Sequence, residues 1–479
     1  MTEYEQRYKQ LNLSQKLAID NLEGPVLVIA GPGTGKTEML GVRIAKILMD
    51  TDTSPEDILC LTFTNEGANT MRRRIIELVG KEGHRVQIHT YHSFGSFLLQ
   101  SYPEFFEERQ FLTKIDELKQ WELVDELLRA LPYTDPLKRH SVDSVLSAIK
   151  KLKEGLITPE KARSLVKIGQ TEATKLEAVA NKHLKGIRRA PSGEKASNLA
   201  LKILKDIPGG KDLDVRRNML KKAIEEYESG EGKNPISIFM KKWFFKKKDD
   251  TYISQTRYQH KVLVSLAGLL ESYQAKLIEA NLYDYSDMIV STIEKLRTDP
   301  DFKATIQERF LYVLLDEFQD TNEAQFELVR QLTDYANPNV LAVGDDDQAI
   351  MGFQGGDAKY FQLFHNHFKA KVINLTDNYR SHKEIIDLSS HIQVQIGAGA
   401  DSDSFSHDKP EFNKELNAIN GKGATIVRYS FSQYFQEYSF VAEQANRDLE
   451  NGTVAVIAPK HKYLVELAKF FHVTQGARR

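Results

Sequence analysis

The sequence predicts an α/β protein in which a parallel sheet covered by helices is interrupted by an all-helical insertion and followed by a partial second unit of the same kind. Three observations carry this expectation. Short apolar runs alternate with amphipathic helical stretches between residues 26 and 100. Strand signals vanish from about residue 101 to 282 and return near 310. The first apolar run also opens into a glycine-rich turn closed by Lys36 and Thr37, where a helical pattern begins.

Taken in order, residues 11 to 22 read as a helix with Ser14 as a plausible cap. Val26 to Ala30 is a continuous apolar run, as expected of a parallel strand buried on both faces. Gly31, Pro32, Gly33, Thr34 and Gly35 then form a turn whose backbone N–H groups can face an anion. Leu40, Ile44, Ile47 and Leu48 recur at helical spacing, which places Lys36 and Thr37 at a helix N-terminus. This is the pattern of a phosphate-binding loop, with Lys36 reaching the outer phosphates and Thr37 ligating Mg²⁺. The strict pattern begins with Gly; Ala30 holds that place here and is small enough to allow the turn. A strand at Ile58 to Thr62, a basic amphipathic helix at Asn65 to Val79, a strand at Val86 to Thr90 and a helix through Phe94 to Leu99 continue the alternation.

In the middle of the chain, Lys/Glu-rich helices are expected at Ile115 to Leu131, Asp143 to Glu154, Thr174 to Leu184 and Thr256 to Glu279. Breaks separate them at Pro191 to Lys195, Pro208 to Lys211 and Ser229 to Asn234. The run Lys241 to Lys248 mixes cations with Trp243, Phe244 and Phe245. It reads equally as a grip on a nucleic-acid backbone and as a solvated helix end with its aromatics in a core. Beyond it, the strand Phe310 to Leu315 ends in Asp316 and Glu317, and Val340 to Val343 ends in Gly344 to Gln348. Carboxylates at the carboxyl ends of parallel strands fall where open α/β sheets bind ligands. A strand at Val372 to Leu375 precedes a loose connection over 391 to 424. Thr425 to Tyr429, Tyr434 to Leu449, Thr453 to Ile457 and Lys462 to Phe471 then read as a second β-α-β-α unit with too few strands to close a sheet.

At 479 residues the chain exceeds one ordinary domain, and 41% hydrophobic residues suffice for several cores. The expected division is 1–100 and 283–372 for the first sheet domain, 101–282 for the insertion, and 373–479 for the partial second domain. Charged residues at 28% and no apolar run of membrane-spanning length point to a soluble protein. The first residues lack the order of a signal peptide, so the expected location is cytoplasmic, with no membrane partner. Cys60 is the only cysteine, which rules out an intrachain disulfide and a cysteine metal cluster, and its apolar strand makes it a buried bystander. A net charge of −2 leaves room for a local basic groove.

Hydrolysis of a nucleoside triphosphate needs a phosphate cradle, a carboxylate for Mg²⁺, a base for water and a cation for the developing charge. Asp316 is the natural Mg²⁺ partner of Thr37, and Glu317 beside it is placed to act as general base. A wider constellation agrees. Leu11–Gln15, Ala30–Thr37, Leu61–Asn65, His89–Phe94, Tyr283–Ile289, Leu315–Thr321, Val343–Ile350 and Leu375–Ser381 stand in this order. The set resembles UvrD/Rep/PcrA-like superfamily 1 DNA helicases across residues 11 to 381.

The resemblance implies a RecA-like P-loop NTPase sheet, an ATP site, and ATP-driven 3′-to-5′ movement on single-stranded DNA and at junctions with duplex. Repair or replication proteins are the expected partners. It implies that Gln15 reads the adenine edge, Tyr379 stacks on the base, Gln348 senses the γ-phosphate, and Arg380 is an arginine finger. It places Phe63, Thr64, Asn65, His92 and Phe353 along the DNA track, although Phe63, His92 and Phe353 taken singly read equally well as core or satisfied polar residues.

There are departures. Met351 to Gly356 replaces the family's usual segment, so Gln354 lacks a cation there, and the family's later motifs, including one with a second arginine finger, have no counterpart. The chain is therefore expected to be the amino-terminal part of a motor: truncated, frameshifted near Val473 to Arg479, or completed by another polypeptide. Two alternatives stand beside the helicase: a non-catalytic ATP- and DNA-binding fragment or regulator without efficient unwinding, and the motor part of a helicase–nuclease repair subunit.

Overall fold

A computed structural model describes residues 3–106, 112–187, 189–230, 232–247, 249–348, 359–397, 415–450 and 452–476. Its centre is a six-stranded sheet built from β1 (Val26–Ala30), β2 (Ile58–Thr62), β3 (Gln87–Thr90), β4 (Tyr312–Leu315), β5 (Asn339–Gly344) and β6 (Lys371–Leu375). The spatial order is β6-β1-β5-β4-β2-β3, and every neighbouring pair is parallel. Val28 lies between Ile373 and Val343, and Cys60 between Ile88 and Leu314. Strands from either side of the long insertion thus interleave in one sheet.

The sequence dictates this burial directly. β1, β2 and β4 are apolar at every position but Thr62 and Tyr312, and all their residues are buried. Side chains alternate between two cores. Leu27, Ile29, Leu59 and Leu61 face one with Phe94 and Phe310; Val26, Val28, Ile58 and Cys60 face the other with Met39, Ile44 and Met71. Cys60 is buried, as expected, and burial pushes its thiol pKa well up. The boundary expected between 372 and 373 falls inside β6, whose whole length pairs with β1.

Two helices differ from expectation at their starts. The helix following residue 11 spans Leu13–Asp20, and its cap is Asn12, not Ser14. The Asn12 side chain accepts the Gln15 N–H, and the Gln15 side chain accepts the Asn12 N–H, which leaves Ser14 inside the first turn. The stretch expected to begin at Thr174 is the end of a longer helix, Pro159–Leu184, started by Thr158 and Pro159.

The insertion is helical apart from short pairings. Thr113–Lys114 pairs with Leu282–Tyr283 at its neck, and Phe244–Lys246 pairs with Tyr252–Ser254 as a hairpin. Its helices enclose two cores, one around Val124, Ile149, Leu270 and Tyr273, the other around Leu176, Ile203, Phe239 and Trp243. Trp243 and Phe244 belong to the second core, so these two aromatics serve packing; Phe245 is exposed. Where insertion meets sheet domain, the buried Lys153 ammonium lies 2.6 Å from Asp284 and 2.8 Å from Asp287.

The second unit departs most. Its helices form, Tyr434–Asp448 and His461–Gly476, and Tyr438 meets Phe470 edge-on at 5.5 Å. The strands expected at 425–429 and 453–457 do not form, and both segments run irregular and largely exposed. Neither segment is paired with a described strand, and strand propensity without a ladder partner is not realised. Within the expected loose connection, 391–397 continue the helix Lys383–Gly397, and Asn417–Ala418 pairs with Asp377–Asn378. Among the described residues no helix is long and apolar enough to cross a membrane.

Candidate nucleotide site

The carboxyl ends of β1, β4, β5 and β6 converge on one region, the edge where parallel sheets hold ligands. From β1 the chain enters the turn 31–35, and the helix Lys36–Asp50 follows at once. Gly33 and Gly35 have φ of +71° and +83°, which side chains rarely adopt. A Cβ on Gly33 would come within 2.7 Å of Arg380 Cβ, and one on Gly35 within 2.7 Å of Gln15 Nε2. The turn is braced from within, because the Thr34 hydroxyl donates to the Gly31 carbonyl at 2.8 Å. The helix N-terminus it precedes, with Lys36 and Thr37 in the first turn, favours negative charge.

Opposite the turn, Lys36 Nζ lies 3.7 Å from Glu317 Oε2. Glu317 sits in the left-handed region at φ +48°, a strained conformation for a residue with a side chain, and its carboxylate is partly exposed. Asp316, the residue before it, is 6% exposed, and its Oδ1 is buried without a hydrogen-bond partner. Burial first, and the Glu317 charge second, push its pKa up to about 7. Asp320 is raised to about 6 for the same two reasons. Asp316 brings an unsatisfied buried carboxylate oxygen, and Thr37 a hydroxyl in the first turn of the helix Lys36–Asp50; both are donor types that a hard divalent cation such as Mg²⁺ takes.

Glu317 is wired to the next strand. Gln319 Nε2 donates to Glu317 Oε2 at 2.6 Å, and the Asp345 N–H donates to Gln319 Oε1 at 3.0 Å. Gln348 Nε2 then donates to Asp345 Oδ2 at 2.6 Å. Gln348 therefore reaches the general-base candidate through two residues, the carboxylate and main-chain N–H of Asp345 and the amide of Gln319. Gln319 and Asp345 lie within the motif segments Leu315–Thr321 and Val343–Ile350, but only the fold shows which atoms they meet.

The segment after β6 covers the same turn. The Tyr379 N–H donates to the Gly33 carbonyl at 2.9 Å, and Asn378 Nδ2 donates to the Pro32 carbonyl at 2.6 Å. Arg380 is exposed, with its Cβ against Gly33. Asn12 Nδ2 donates to Asp377 Oδ2 at 2.9 Å and to the Tyr379 hydroxyl at 3.0 Å. Gln15 is 3% exposed and committed at both ends, its Nε2 to the Thr34 carbonyl at 2.9 Å and its Oε1 to the Asn12 N–H. Gln15, Tyr379 and Arg380 thus touch the turn 31–35, Lys36 at its end faces Glu317, and Gln348 is linked to Glu317 through Asp345 and Gln319.

The residues expected on a nucleic-acid track are more scattered. Phe63, half-buried, with exposed Thr64 and Asn65, follows β2, and Thr64 caps the helix Asn65–Val79. His92 stacks on Tyr285 with ring centroids 3.8 Å apart, and Lys114 Nζ lies 4.8 Å from the Tyr285 centroid. Burial, then Lys150 and Lys114, depress the His92 pKa to about 4, so the ring is neutral at pH 7. Phe353 lies outside the described residues.

A family model described as the UvrD/REP helicase N-terminal domain matches residues 11–199 and 181–369. The chain is 26% identical over 445 residues to an ATP-dependent DNA helicase PcrA of Staphylococcus epidermidis, covering 93% of the chain and 46% of that relative. It is likewise 26% identical over 450 residues to an ATP-dependent DNA helicase PcrA of Staphylococcus aureus, covering 92% of the chain and 46% of the relative. The chain spans about half the length of the curated relatives it matches.

Proposed function

The chain belongs to the UvrD/REP helicase N-terminal domain family, and on that premise we propose that it hydrolyses ATP with Mg²⁺ to move 3′ to 5′ along single-stranded DNA. Junctions with duplex are its substrate, in repair or replication. One observation carries the reading: Lys36, Glu317 and the unsatisfied Asp316 oxygen meet at one strand edge, and the Tyr379–Arg380 turn is bonded to the same loop.

In this reading the backbone of the turn and Lys36 hold the phosphates, and Thr37 with Asp316 holds the metal. When bound, Mg²⁺ neutralises charge on the outer phosphate oxygens. Glu317 takes a proton from the attacking water, and the Gln319–Asp345–Gln348 chain links that event to the loop after β5. Arg380 meets the developing charge. Tyr379 offers a 41% exposed ring for the base, whereas Gln15 must exchange one of its present bonds to read adenine. Phe63, Thr64, Asn65 and His92 line the DNA path, aromatics stacking without sequence preference.

Steady-state ATP turnover with and without oligothymidylate tests the reading. Lys36→Ala lowers turnover at least about 100-fold, the scale of losing one preorganised phosphate donor. Glu317→Gln keeps ATP binding and loses hydrolysis by about 10²- to 10⁴-fold. Normal turnover in Lys36→Ala removes the phosphate-loop assignment. A second reading, an ATP- and DNA-binding fragment whose motor is completed by another polypeptide, is favoured by the unpaired segments 425–429 and 453–457. Under it, single-stranded DNA binds without stimulating turnover.

A further inference from the structure

We propose that Asn378 is a positioning residue that hangs the Arg380 turn on the phosphate loop; the inference rests on the nucleotide site proposed above. Asn378 is 1% exposed and uses both ends of its amide. Its Oδ1 accepts the N–H groups of Arg380 at 2.9 Å and Ser381 at 2.8 Å, which folds the chain tightly just where the guanidinium leaves it. Its Nδ2 donates to the Pro32 carbonyl at 2.6 Å, and the neighbouring Tyr379 N–H donates to the Gly33 carbonyl at 2.9 Å. One side chain therefore fixes the shape of the turn and also ties that turn to the loop that cradles phosphate.

The surroundings make the tie rigid. The Ile419 N–H donates to the Asn378 carbonyl at 3.0 Å, within the short parallel pair of Asp377–Asn378 with Asn417–Ala418. Gly33 leaves no slack on the other side, because a Cβ there would meet Asn378 Nδ2 at 2.9 Å as well as Arg380 Cβ. A buried amide satisfied at both ends is costly to disturb. Its consequence is that Arg380 is placed relative to the phosphates by the loop itself. A shift of about 1 Å in such a group suffices to cost on the order of 100-fold in rate.

Two substitutions separate the two ends of the amide. Asn378→Asp keeps the oxygen that accepts from Arg380 and Ser381 but sets a second oxygen against the Pro32 carbonyl. Asn378→Ala removes both. In the full chain we expect Asn378→Asp to lower kcat about 10- to 100-fold while nucleotide Kd moves less than about threefold, because the tie acts on Arg380 and not on ground-state binding. In an Arg380→Ala background the same change costs less than about twofold, since a residue that acts through another has little left to lose once its target is gone. Wild-type kcat in Asn378→Asp overturns the proposal, and so does an equal loss in both backgrounds. Amide exchange gives a readout independent of turnover: peptides covering 376–383 exchange at least about tenfold faster in Asn378→Ala, with β1 peptides unchanged as the folding control. Unchanged exchange overturns the tie. If the wild-type chain hydrolyses no ATP with or without DNA, the functional reading falls, and the exchange result still decides the tie.

Discussion

The sheet of residues 26–375 and the segment 415–476 begin from the same sequence rhythm and end in different states. In the first, the apolar runs of β1, β2 and β4 become strands buried on both faces, each held by a neighbour on either side. In the second, Val427 is 60% exposed, Tyr429 57% and Ile457 92%, and no ladder forms at either run. The residue types are alike: Val, Ile and aromatics. What differs is the supply of partners. β1 has β5 on one side and β6 on the other, and these arrive only after the insertion has been traversed. The helices of the second unit form regardless, since their hydrogen bonds are internal. Strand formation is thus a property of the assembled set, while helix formation is closer to a property of the segment.

Because closure of the first sheet brings β2 beside β4 across the whole insertion, the insertion's neck should carry a large share of the stability. Lys153 is the test. Its ammonium, over 95% buried, is matched to Asp284 and Asp287, and the Tyr273 hydroxyl also donates to Asp284 at 3.0 Å. Lys153→Ala leaves two carboxylates buried together without their cation, which costs about 3–5 kcal/mol in urea titrations. A loss below about 1 kcal/mol would show that sheet closure does not depend on this joint.

Next in size is the core of the closed sheet. Leu314 lies in β4, 1% exposed, between Cys60 and Leu341. Leu314→Ala removes buried methyl groups where the packing cannot collapse, and is expected to cost about 2–5 kcal/mol, read from the urea midpoint at unchanged slope.

Much of this was legible in the sequence. The strands of the first sheet, the glycine turn before the helix Lys36–Asp50 and the acidic strand tips could be placed because glycine spacing, apolar runs and carboxylate position each carry a local physical signature. The segment Leu375–Ser381 was legible as a unit, but the double role of the Asn378 amide was not, since no spacing rule says that its Nδ2 meets the Pro32 carbonyl. Asn12 and Ser14 are both residue types that suit a cap, and only the reciprocal bonds with Gln15 decide for Asn12. Trp243 and Phe244 showed cation-flanked aromatics in sequence, and the pattern could not say which face meets a core. The runs at 425–429 and 453–457 have strand propensity, and among the described residues no strand pairs with them.

That last point gives the smallest effect and the sharpest test. Ile457 is 92% exposed, so Ile457→Ala removes almost no packing, and its effect on the isolated chain should stay within about 0.5 kcal/mol. The contrast with Leu314→Ala then measures partner supply rather than side-chain chemistry, because both substitutions delete a branched aliphatic from a strand-forming run. If the run at 453–457 is a strand awaiting neighbours, joining the chain to the carboxyl-terminal half of a PcrA relative should bury Ile457. Burying such a side chain is worth about 1.5–3 kcal/mol, so Ile457→Ala should become destabilising by a comparable amount in the joined protein. A cost above about 2 kcal/mol already in the isolated chain would mean that this segment has a core of its own, and the distinction between the two units would be one of degree.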